Sequence, residues 1–175
     1  QLRGPRITVR AARPGESMQT LDGKQRLFAG EEILICDAER AVCIGGVMGG
    51  METEVTAETK DVLIEAACFN PASIRRTARR HGIPSEAEMR FEKGVDVASC
   101  DLAARRAAQL LVRYCGGVAD RGAVDARAEQ YAGGFPERNI LLRPKRVNQI
   151  PGTAFSEAEI ADVIARLGFA LTRQP

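Results

Sequence analysis

Histidine is almost missing from this chain of 175 residues: His81 stands alone. Zinc sites and most acid–base machinery draw on several imidazoles, so a multi-histidine metal enzyme is excluded. An excess of one charge is missing too. The net charge is +2, from 25 basic and 23 acidic residues, so a polyanionic partner has to be sought in local clusters rather than in the total. No apolar run approaches the ~20 residues that span a bilayer, which predicts no membrane segment. The opening Gln-Leu-Arg-Gly-Pro-Arg has neither a start methionine nor the apolar core of a signal peptide. The sequence therefore reads as an internal piece of a longer protein. Five cysteines, at 36, 43, 68, 100 and 115, fit no metal or redox spacing, and most sit in apolar runs. Reduced thiols in a cytosol are expected. What is present, 45% hydrophobic and 27% charged residues, rules out disorder and collagen and suffices for one well-buried domain with a small appendage.

The first seventy residues read as strands joined by tight turns. Ile7, Val9 and Ala11 alternate with polar neighbours, and Asp22-Gly23 signals a hairpin. The runs 33–36 and 41–44 follow as short apolar strands, and Val62 to Phe69 suits a buried strand better than a helix. Helices dominate next. Asn70-Pro71 supplies a cap and a first helical proline, and His81-Gly82 closes that helix. A second helix is predicted from about Val97 to Tyr114, with Ala103, Ala107, Leu110, Leu111 and Tyr114 on one face and Gly116-Gly117 as its stop. Val118 to Val124 is suited to a returning strand. After a linker at 130–137 come a short strand at Ile140-Leu141-Leu142, a brief helix opened by Pro144, and a capping box, Ser156 to Glu159, ahead of a last helix. The fold class expected is α+β: a layered β-sheet core with helices packed on one side, then a truncated small helical, winged-helix-like domain.

Four features bear on chemistry. Gly45-Gly46-Val47-Met48-Gly49-Gly50 resembles a phosphate loop, but no Lys-Ser/Thr follows and Glu52 and Glu54 would repel phosphate. A turn with unusual backbone angles, or a pocket wall of bare backbone, fits better. Glu65 interrupts an eight-residue apolar run, where it either faces solvent or an arginine, or lines a cavity and accepts a hydrogen bond from a substrate. Arg75, Arg76, Arg79 and Arg80 crowd two turns of helix, which suits either a solvated face or phosphate contacts. Ser85 to Asp96 is a dense charged loop with only Met89 and Phe91 to bury.

The series Gly46-Val47-Met48-Gly49-Gly50, Glu54-Val55-Thr56, Leu63-Ile64-Glu65-Ala66-Ala67, Ser73 to Gly82 and Arg90-Phe91-Glu92-Lys93-Gly94-Val95-Asp96 resembles the beta subunit of bacterial phenylalanyl-tRNA synthetase, in order and spacing from Ile7 to Gly117. Leu142-Arg143, Arg146-Val147-Asn148, Gly152 and Arg166-Leu167-Gly168-Phe169 resemble that subunit's next domain. The resemblance implies residues 1–129 as the editing and tRNA-binding region, the third and fourth domains, with 130–137 a linker and 138–175 the start of the fifth. It implies hydrolysis of tyrosine misattached to the phenylalanine tRNA, within a cytoplasmic enzyme of two alpha and two beta chains that uses ATP and magnesium elsewhere to attach phenylalanine. No cofactor or metal is expected in this piece.

By motif, Gly49 and Glu65 match the residues that recognise the tyrosine phenol, and Ser85 and Ala87 match a Thr-x-Ala pair lining the same pocket. Arg75, Arg76, Arg79 and Arg80 are the candidate tRNA contacts. Ser85 in place of threonine keeps the hydroxyl and loses a methyl contact, implying a looser wall. The family's upstream Gln-Pro-x-His-Ala-Phe-Asp motif, whose histidine faces the site, is absent here. No catalytic residue is assigned: the expected nucleophile is a water held by the pocket and the tRNA's terminal ribose. The alternative expectation is a non-catalytic RNA-binding or subunit-packing module of the same synthetase.

Overall fold

The computed structural model describes residues 2–129 and 139–172; the linker expected at 130–137 lies outside them. The chain forms two compact units, Gln1–Arg121 and Gly122–Pro175. Six strands open the first: β1 Thr8–Ala11, β2 Ser17–Gln19, β3 Gln25–Leu27, β4 Ile33–Cys36, β5 Ala41–Ile44 and β6 Met48–Gly49. Four of them make an antiparallel sheet in the order β1-β4-β5-β6, and β2 and β3 pair as a separate hairpin. Strands β4 and β5 are apolar on both faces, and only Ile33 and Cys43 among them are not fully buried, as expected of strands covered on both sides. Asp22 and Gly23 lie in the β2–β3 loop, where Gly23 takes φ 78°.

Three helices complete this unit: α1 Pro71–His81, α2 Glu86–Phe91 and α3 Ser99–Cys115. Asn70 caps α1 by accepting from the Ala72 and Ser73 amides, and Gly82 ends it at φ 61°, as the sequence predicts. Ile74 and Ala78 carry α1 into a core with Phe28, Leu34, Ile44 and Val47, giving the α+β class expected. The stretch 86–91, expected as loop, is α2 instead: Ser85 accepts from the Glu88 amide at 3.0 Å, an N-cap that the charge of the segment conceals. In α3 no residue is fully buried, and Ala103 and Tyr114 of its predicted face are exposed.

Three expected strands do not form. Residues 62–69 are irregular, with Val62, Leu63 and Ile64 exposed and only Phe69 fully buried. β-propensity needs a neighbouring strand to satisfy the backbone, and none pairs with this run among the described residues. The same holds for 118–124 and 140–142, where Val118, Val124, Ile140 and Leu141 are exposed. In the second unit α4 Pro144–Gln149 and α5 Glu157–Arg166 do form, the latter with the full Ser156–Glu159 capping box. No strand accompanies them among the described residues, so no wing joins these two helices there.

Candidate functional site

The glycine run closes the β5–β6 hairpin. Its N–H groups are largely committed: Gly45 donates to Ile33 O at 2.8 Å, Val47 to Ile44 O at 2.9 Å and Gly50 to Val42 O at 2.8 Å. A loop so engaged has little to offer an anion, and only a single 3-10 turn, Met51–Thr53, follows it, with Glu52 in that turn. The glycines are there for close approach. A Cβ on Gly46, which takes φ 68°, would meet Phe69 at 2.7 Å and Ile74 at 2.8 Å; one on Gly50 would meet Val42 O at 2.7 Å. At Gly49 the neighbour is Leu21, whose Cδ1 would lie 3.1 Å from an added Cβ and whose amide donates to Gly49 O at 3.0 Å.

Cys43 pairs directly opposite Gly49, so their substituents share one face of the sheet. Burial pushes the Cys43 thiol up to about 12, with the negative charge of Glu65 adding to the rise, so Glu65 stands within electrostatic reach of this pair. Glu65 as a residue is exposed, yet desolvation holds its carboxyl above the ordinary value. The upward push marks protein packed close by rather than full enclosure. Ser85 joins the same hairpin by donating from Oγ to Val47 O at 2.6 Å. Ala87 follows two residues later, exposed in the first turn of α2.

The four arginines lie along the exposed side of α1, and they divide. Arg75 pairs with Glu92 at 3.2 Å, and Arg80 reaches Glu31 and Glu32 at 3.4 Å. Arg76 and Arg79 are exposed and make no ion pair among the described residues. His81 is a buried partner, its Nε2 3.1 Å from Glu32 Oε1 and its ring edge-on to Phe28 at 5.8 Å. Two groups escaped the sequence reading. Burial pushes the Glu32 carboxyl up, but hydrogen bonds from its own amide, His81, Ala29 and Gly30 outweigh that and leave it below its ordinary value. Arg26 is 8% exposed inside the β2–β3 hairpin. Neither carries a motif: Arg26 sits in a three-residue strand whose alternation is too short to announce a buried charge, and Glu32 lies in the turn ahead of β4.

Residues 1–116 match the B3/4 domain family. The chain is 44% identical over 171 residues to the phenylalanine–tRNA ligase beta subunit of Symbiobacterium thermophilum, covering 98% of this chain and 19% of that protein. It is 45% identical over 166 residues to the beta subunit of Moorella thermoacetica, covering 95% and 20%. The beta subunit of Protochlamydia amoebophila is 36% identical over 168 residues, covering 96% and 20%. The chain thus spans about a fifth of the length of these relatives.

Proposed function

The chain belongs to the B3/4 domain family, in the form found in phenylalanine–tRNA ligase beta subunits, and from that premise we propose that it carries a post-transfer editing site. This site removes tyrosine from the phenylalanine tRNA. The reaction is ester hydrolysis: water attacks the aminoacyl carbonyl, the bond to the terminal ribose breaks, and tyrosine and the free ribose hydroxyl leave. It needs neither ATP nor a metal. Those belong to the attachment of phenylalanine, which this reading assigns to the complete cytoplasmic enzyme with its alpha subunit.

The geometry that supports the reading is the Cys43–Gly49 pairing in the hairpin to which Ser85 is tied, with the negative charge of Glu65 felt at Cys43. The Glu65 carboxylate accepts the phenolic O–H, and Gly49, with Leu21 against it, contributes a wall of bare backbone. With phenylalanine bound, that acceptor would go unpaired, and sites of this kind discriminate by factors on the order of 10⁴ to 10⁵ at best. Ser85, anchored to Val47 O, holds the hairpin turn against α2, and Ala87 leaves the adjoining wall small. Arg76 and Arg79 supply phosphate contacts for the tRNA. Cys43 remains a thiol at neutral pH and acts as an apolar wall rather than a nucleophile.

Replacing Glu65 with alanine in the complete two-subunit enzyme tests the reading. Deacylation of tyrosyl-tRNA should fall by about 100-fold or more, with phenylalanine charging unchanged; undiminished deacylation would sink the recognition role. The exposure of Glu65 and the two unpaired arginines favour one alternative, a module that binds RNA without catalysis. In that case Glu65→Ala leaves deacylation intact, while Arg76→Ala with Arg79→Ala weakens tRNA binding and flattens its salt dependence.

A further inference from the structure

We infer that Arg26 is a positioning residue that fastens the C-terminal end of α1 to the loop forming the Gly49 wall of the pocket. The inference rests on the editing reading above and concerns the geometry of that same site. The guanidinium, 8% exposed, reaches three acceptors on two pieces of the fold. Its Nε donates to Thr20 Oγ1 at 3.3 Å, one terminal nitrogen pairs with Asp22 Oδ2 at 2.5 Å, and the other donates to His81 O, the carbonyl of the last residue of α1. Thr20 is fully buried, donates to Asp22 Oδ1 at 2.6 Å and bridges Gly50 across the hairpins. The next residue, Leu21, donates its amide to Gly49 O and rests its side chain on Gly49. A continuous set of hydrogen bonds therefore runs from the arginine helix through Arg26 and the 20–22 loop to the pocket wall.

The chemistry suits a positioning part. A cation at a helix C-terminus meets the negative end of the dipole, and a planar fork with several donors holds separate acceptors in one fixed arrangement, which a lysine ammonium cannot reproduce. Burying a charge is an inefficient way merely to add stability, since apolar side chains of similar volume often do as well. Its advantage is a defined geometry. Without it, the 20–22 loop keeps its bridge to Gly50 and the Leu21 amide on Gly49 but loses its tie to the end of α1, and the Gly49 wall loses its fixed place relative to that helix. Displacements of that size at a reacting site lower rates by about 10- to 100-fold.

The test uses Arg26→Lys and Arg26→Gln in the complete two-subunit enzyme. The expected result is a fall of about tenfold in kcat for tyrosyl-tRNA deacylation, smaller for lysine than for glutamine. KM for the tRNA and phenylalanine charging should hold in both variants, and the melting temperature in Arg26→Lys, which keeps the buried charge. Unchanged kcat, or a loss matched by charging and melting temperature, would overturn it. Glu65→Ala in the same assay separates the two readings: if that variant keeps full deacylation, the editing function itself fails. Arg26 is then judged by amide hydrogen exchange across residues 18–22. About tenfold faster exchange in Arg26→Lys supports the fastening, and unaltered exchange overturns it.

Discussion

Single side chains decide how tightly this unit holds together, and Glu16 shows it most plainly. Arg10 hydrogen-bonds both its oxygens, at 2.8 and 2.7 Å, and holds the carboxyl at about 2, against an ordinary 4.5; the Arg13 amide helps while burial opposes. The folded state thus prefers the ionised form. Its contribution is complete above about pH 4.5 and disappears as pH falls through about 2. With partial exposure discounted, Glu16→Gln should lose about 1–2 kcal/mol at pH 7 and almost nothing near pH 2; urea unfolding at both pH values checks this. Gly46 is as exacting for a different reason. At φ 68°, with Phe69 and Ile74 closer than 3 Å to any added Cβ, Gly46→Ala combines backbone strain with overpacking, and thermal unfolding should register a loss of about 3 kcal/mol.

Helix α1 brings the sheet and the arginines into one frame. Its cap is local and separable: Asn70→Ala removes the acceptor for the Ala72 and Ser73 amides and should lower stability by about 1 kcal/mol without moving Ile74 out of the core, as seen in denaturant midpoints. Elements with this kind of local signature were readable in the sequence. The cap, proline and glycine of α1, the extents of β4 and β5, and the capping box of α5 all follow from neighbours in the chain. What could not be read depends on distant partners. Whether 62–69 becomes a strand turns on having another strand beside it, and whether Glu65 sinks or stays exposed turns on that outcome. The α2 helix is an intermediate case: Ser85-Glu86-Ala87-Glu88 has the spacing of a capping box, yet only one half of the box forms, and the surrounding charges read as loop. Gly49 and Ser85 were brought to the same hairpin by the register of β5 with β6 and by one hydroxyl, neither of which periodicity reveals.

At the scale of the molecule, apolar surface is left open. Val62, Leu63, Val118 and Val124 are 49–99% exposed, and Leu102 and Tyr114 of α3 are 70% exposed. Exposed apolar groups of this extent favour association with further protein or with a hydrophobic dye. The 175-residue chain should enhance anilinonaphthalene sulfonate fluorescence several-fold over a globular control of equal mass, and Leu102→Lys with Tyr114→Lys should reduce the signal; a signal no greater than the control's would show that this surface is closed in solution. The order of the elements along the chain has a temporal side as well. The four-stranded sheet is complete by residue 49, whereas Phe69, Ile74 and Ile83, which join it in the core, come later. A ribosome builds from the N-terminus, so the nascent sheet emerges with the Gly45-Gly46 turn uncovered. It must wait for α1 to be synthesised before that turn is sealed.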